Sequence, residues 1–123
     1  MKKKIKVYLS GPMTGYHMKN YPIFMKAEKI LKRKGYTVIN PATKPNEILY
    51  RDSTVVEWQN YLREDIIEML KCREVWLLPN WFKSRGSTLE VYIASQIGMH
   101  IKGFKTGELN ETRSKRRHRK TKV

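Results

Sequence analysis

Two short runs, "KVYLSGP" at residues 6–12 and "REVWLLPN" at 73–80, limit what this chain can fold into more than anything else in it. Both are apolar at most positions, and each leads through a turn-forming loop into a segment with helical periodicity. Strands with so little polar surface belong inside a parallel sheet that helices cover on both sides. The first run opens on Ile5, Val7 and Leu9 and ends in "SGPMTG", a strand followed by a tight loop.

The remaining segments agree with such a sheet. Ile23, Phe24, Ala27, Ile30 and Leu31 recur at helical spacing between Tyr21 and Lys34, with Pro22 suited to the first turn and Gly35 to the exit. "YTVIN" supplies a second strand. Residues 41–54 hold two prolines and no period, so a loop with room for one helical turn is expected there. Thr54 and Glu57 have capping-box spacing ahead of a helix that buries Trp58, Leu62, Ile66 and Met69 and runs to about Lys71. A third helix is expected from about Ser87 to Gly98, with Leu89, Ile93 and Ile97 facing inward, before a last strand in "HIKGF". The order β-α-β-α-β-α-β predicts a small three-layer α/β sandwich of the flavodoxin/Rossmann-like kind, with a parallel sheet of four or five strands. Ligands of such sheets bind at the carboxyl ends of the strands, which brings "SGPMTG" beside "NWFKSRGSTLE".

At 123 residues the chain suits one domain, expected over 1–110. Residues 111–123 carry seven Lys/Arg against one Glu, so +6 of the net charge of +15 lies in a basic tail expected to be disordered, and +9 remains for the body. That balance favours anionic partners. The single cysteine cannot form an intrachain disulfide, no Cys/His cluster has metal-site spacing, and no run approaches ~18 apolar residues. A cytoplasmic protein is therefore expected, with no membrane partner, no metal and no cofactor.

Several residues near the expected mouth have side chains suited to chemistry. Ser10 and Gly11 end the first strand in a loop whose backbone amides can approach an anion, and Met13 of that loop is expected to touch substrate. Asp65 lies in line with Trp58, Leu62 and Met69, and a carboxylate on an apolar face needs a partner or a function. Ser84, Arg85, Gly86 and Ser87 offer hydroxyls, a guanidinium and amides to a phosphate. Tyr8 lies on the strand face opposite Val7 and Leu9, with its hydroxyl near the mouth. Trp81, in the loop, can stack on a base, while Trp76 belongs to the core. For Glu90 two readings compete: Ser87-x-x-Glu90 is a capping box, and the same carboxylate can act as a nucleophile.

Taken in order, "KVYLSGPMTG", "NYPIFMKAEKILKRKGYTVINPA", "WQNYLREDIIEMLKCREVWLLPNW" and "SRGSTLEVYIASQIG" resemble the nucleoside 2-deoxyribosyltransferase-like superfamily, particularly its short phage-type members, over about residues 4–104. The resemblance implies cleavage of the N-glycosidic bond between 2-deoxyribose and a base, with Glu90 as nucleophile, Asp65 assisting and Tyr8 positioning the nucleophile. It implies sugar or phosphate contacts from Ser10 and Gly11, and a phosphate contact from Ser84, six positions before the nucleophile. It also implies a homodimer or higher homo-oligomer, and a host cytoplasm if a phage encodes the chain. The transferases carry an acidic residue where this chain has "FKSRGST", and the basic loop favours a 5′-monophosphate over a free nucleoside.

Other readings remain open on sequence. "RGSTLE" is also similar to the loop of nucleoside-monophosphate phosphoribohydrolases, which take ribose. The pocket can hold a nucleotide without cleaving it, and the basic tail can associate with nucleic acid nonspecifically.

Overall fold

The computed structural model describes residues 4–43 and 55–109. Its four strands, β1 (Lys6–Ser10), β2 (Thr37–Ile39), β3 (Glu74–Leu77) and β4 (His100–Gly103), form one parallel sheet in the order β2-β1-β3-β4. The helices are α1 (Tyr21–Arg33), α2 (Val55–Leu70), α3 (Arg85–Gln96) and a single turn, α4 (Thr106–Leu109). Single 3-10 turns at His17–Asn20, Pro41–Thr43 and Trp81–Lys83 follow β1, β2 and β3. The expected α/β sandwich is present, with four strands.

Strand alternation divides the core in two. Val7, Leu9, Trp76 and Leu78 point to the face where Phe24, Ala27 and Leu31 of α1 pack. Tyr8, Val75 and Leu77 point to the other face, against Met69 and Cys72 from the end of α2 and Ala94 of α3. The Cys72 thiol packs in this second layer, and burial pushes it up to about 11 despite the opposing charge of Lys6. Trp76 is core, as its sequence context predicts: it lies 5.8 Å from the ring of Tyr36 and 5.1 Å from that of Phe104, and its indole donates to Glu74 at 2.9 Å.

Chain connectivity decides where the cleft lies. From β1 the chain moves one way to β2 by α1, then back across β1 to β3 by α2. Connections of opposite direction place their helices on opposite faces when the crossovers are right-handed. The loops leaving β1 and β3 therefore diverge at the carboxyl edge and leave a crevice between them. Gly35, with φ of 99°, closes α1 in the left-handed conformation expected at a helix exit.

The third helix departs from expectation in two ways. It starts at Arg85, because the Ser84 hydroxyl accepts the Ser87 N–H at 3.1 Å and so caps the helix one turn earlier. Its buried residues are Ser87, Glu90 and Ala94, while Leu89 is 40% and Ile97 54% exposed and Ile93 is half-buried. The apolar stripe lies about a quarter-turn or more off the buried face, because hydroxyls of β1 draw Glu90 inward. α4 was not evident from periodicity, since a single turn has none; it buries Leu109 in the α1 layer. Of the loop expected over 41–54, residues 41–43 form the 3-10 turn, while its remainder, the expected Thr54 cap and the basic tail lie outside the described residues. No helix among the described residues is long and apolar enough to cross a membrane.

Gly11 leaves no room for a side chain: a Cβ there would stand 2.7 Å from Leu78 Cδ1 and 2.8 Å from Leu78 Cβ. Gly11→Ala should lower the unfolding free energy by about 1–3 kcal/mol, the usual cost of overpacking a core. Urea denaturation followed by tryptophan fluorescence measures this, and an unchanged midpoint contradicts the contact.

Candidate functional site

β1 ends on Ser10, and α3 starts beside it from the loop after β3. Register puts Tyr8 and Ser10 on the same side of β1, facing α3, because side chains two apart share a face. Glu90, in the second turn of α3, comes down on this pair. Tyr8 donates its hydroxyl proton to Glu90 Oε2 at 2.8 Å, and Ser10 donates to Oε1 at 2.6 Å. The hydroxyls of Ser10 and Ser87 are 2.9 Å apart. A serine has one proton, and that of Ser10 is engaged by the shorter bond, so Ser87 supplies the proton between the two hydroxyls.

Glu90 is 5% exposed, and a carboxylate so enclosed is costly without donors. Both its oxygens have one here. The capping-box reading of Glu90 is overturned: the Ser87 N–H goes to Ser84, and the Glu90 carboxylate turns to β1. Tyr8 is buried, and its pKa is raised well above the ordinary 10.0, first by burial and then by the charges of Glu90 and Asp65. At neutral pH it is therefore a hydrogen-bond donor and not a base.

Asp65 is half-buried on α2 and lines the same cleft as Glu90. The sequence-based expectation that the two carboxylates share one mouth agrees with this. The cleft has a volume of about 120 Å³ and is also lined by Ser10, Gly11, Met13, Ser84, Gly86 and Ser87. Arg85 lines a depression just outside it, with its guanidinium 4.7 Å from the centre of the Trp58 ring.

Trp81 lies apart from the other candidates. It packs half-buried beside the α2–α3 layer, edge-on to Phe82, and lines neither the cleft nor the depression. The cleft's tryptophan is Trp58, joined by Tyr61 and Leu62. These share the helix stripe of Asp65 at offsets of seven, four and three, so a functional Asp65 already implied them. Lys19 also lines the cleft and gave no sequence signal. It is the middle of three successive left-handed residues, Met18, Lys19 and Asn20, with φ of 52°, 53° and 65°. Met18 and Lys19 each cost about 1–2 kcal/mol in this conformation, which Asn20 tolerates better, and backbone strain of this kind clusters at ligand sites.

The family model "Domain of unknown function (DUF4406)" matches residues 5–103, most of the chain, and the chain belongs to that family. No curated protein matches it.

The raised Tyr8 pKa gives a signed test. Below pH 10 both folded and unfolded chains keep the phenol protonated, and its bond to Glu90 is fully present. Above pH 10 the unfolded chain releases this proton and the folded chain does not, so its contribution is lost as pH rises toward the folded pKa. At pH 8, Tyr8→Phe should cost about 1–3 kcal/mol by leaving a buried acceptor short of a donor. Denaturation at pH 8 and pH 10.5 should show the wild-type advantage narrowing, and an advantage that grows with pH refutes the assignment.

Proposed function

We propose that this cleft cleaves the N-glycosidic bond of a 2-deoxyribonucleotide, preferring a 5′-monophosphate to a free nucleoside. The observation that carries the proposal is Glu90: a buried carboxylate at a cleft floor, held by two hydroxyl donors that fix its direction. The resemblance of the surrounding motifs to the nucleoside 2-deoxyribosyltransferase-like superfamily supports the sugar and the bond.

The reaction is a double displacement. A lone pair on Glu90 attacks C1′ of the sugar as the C1′–N bond breaks, and the bonding electrons leave with the base. The base takes a proton from Asp65 or from solvent. The glycosyl ester on Glu90 is then attacked at C1′ by water, which loses its proton to Asp65 while the Glu90 carboxylate departs. When a second base replaces water, the sugar is transferred. Tyr8 and Ser10 position Glu90, and their bonds weaken as its charge is consumed in the ester and strengthen as it returns. Tyr8 keeps its proton throughout, because its raised pKa puts ionisation out of reach near neutrality. Ser84, Gly86 and Ser87, at the start of α3, line the side of the cleft suited to the substrate phosphate.

Glu90→Gln keeps the size of the side chain and should lower base release from deoxynucleoside 5′-monophosphates by about a thousandfold or more, as loss of a nucleophile does. Asp65→Asn should lower it by about 10²–10⁴-fold, the range of general acid–base assistance. Chromatography of free base from a panel of nucleotides and nucleosides gives both numbers. Release by Glu90→Gln at the wild-type rate refutes the mechanism. Release from AMP but not dAMP moves the assignment to ribose, and nucleotide binding without release makes the protein a carrier.

A further inference from the structure

The cleft and the depression outside it differ in charge. Asp65 and Glu90 line the cleft, whereas the charged residues described around the depression are Lys19, Lys83 and Arg85, with no Asp or Glu among them. Lys19, Ser84 and Gly86 border both spaces, and Lys83 and Arg85 border only the outer one. Two of the three cations are therefore confined to the space that the carboxylates do not line, and Lys19 stands between.

Local structure sets up this separation. Lys19 sits in the middle of the left-handed run Met18–Asn20, and its N–H donates to the Tyr16 carbonyl at 2.9 Å. Lys83 is exposed at the end of the 3-10 turn that precedes the Ser84 cap. The Arg85 guanidinium lies over Trp58, and a stacked guanidinium still presents its N–H edge to an oxyanion. Like charges around one concavity repel one another and create a potential that an anion relieves. A phosphate next to the sugar would meet the boundary at Lys19, Ser84 and Gly86, leaving Lys83 and Arg85 to face whatever is attached beyond it.

We propose that the outer depression is a second anion subsite, in which Lys83 and Arg85 take a phosphate linked to the one beside the sugar. This rests on the reading of the cleft given above only for the position of the first phosphate. The substrate class becomes a nucleotide with two or more linked phosphates. Deoxynucleoside di- and triphosphates share that chemistry with the 5′-flanking phosphodiester of a single strand.

Titration calorimetry of the full chain with inorganic phosphate and pyrophosphate tests the subsite without turnover, so failure of base release leaves the result readable. Pyrophosphate should bind about tenfold or more tightly than phosphate. Lys83→Ser should reduce that preference, and Lys83→Ser with Arg85→Ser should abolish it. Lys26→Ser with Lys29→Ser removes the same charge from α1 and should preserve it. Equal affinities in the wild type, a preference that survives the Lys83/Arg85 pair, or equal loss in the α1 control overturns the proposal. Competition then assigns the source: stronger displacement of pyrophosphate by a deoxynucleoside triphosphate points to free nucleotides, and stronger displacement by a short single-stranded oligonucleotide points to a strand.

Discussion

A carboxylate removed from water must be given donors, and in this protein that requirement falls on Glu90. Tyr8 and Ser10 meet it, which fixes several things at once. β1 must present its even-numbered residues to α3, leaving Val7 and Leu9 for the α1 layer. α3 must come close enough for bonds of 2.6 and 2.8 Å, so the residues it buries fully are Ser87, Glu90 and Ala94, with Val91 and Ile93 half-buried beside them. The same interaction joins the first and third strand–loop units across the crevice. Fold and site meet in one hydrogen-bonded group.

The loop leaving β1 is constrained at both ends. At Gly11 the backbone lies against Leu78, with no space for a Cβ. At Met18–Asn20 it turns through three left-handed residues before α1 begins. A segment held this way gives up conformational freedom to hold Ser10 at the carboxylate and Lys19 at the outer boundary. Asp65 and Glu90 line the cleft alone, Lys83 and Arg85 line only the depression beside it, and Lys19 borders both.

The sheet was legible because its two central strands are apolar on both faces, a pattern that admits few architectures. Helix α3 was less legible because it carries two stripes. Leu89, Ile93 and Ile97 make the better apolar face by sequence, and only the hydroxyls of Tyr8 and Ser10, some eighty positions away, favour Ser87, Glu90 and Ala94. The cap was ambiguous for a local reason, since Ser84 and Ser87 are both good N-cap residues and backbone geometry chooses between them. Trp58 read as core because it shares a helical stripe with Leu62 and Met69, but that stripe runs from the core out to the cleft wall. Asp65 stood out because a carboxylate in an apolar stripe demands a partner, and Tyr8 and Ser10 because they end the first strand. Glu90 stayed open between cap and nucleophile, and only the hydroxyls beside it exclude the cap. Lys19 did not stand out, because backbone strain leaves no signature in a lone sequence.

The residues that α3 buries fully are a serine, a glutamate and an alanine, and its larger apolar side chains on this layer, Val91 and Ile93, are only half-buried. The hydrogen bonds of Glu90 to Tyr8 and Ser10 add to that packing in holding the helix to the sheet. Local opening of α3 and occupancy of the cleft are therefore linked equilibria: a ligand that engages Glu90 shifts the helix toward its closed state. Amide-exchange protection along residues 85–96 would then report on whether the cleft is filled, while the α1 layer, held by Phe24, Ala27 and Leu31, would be indifferent to it.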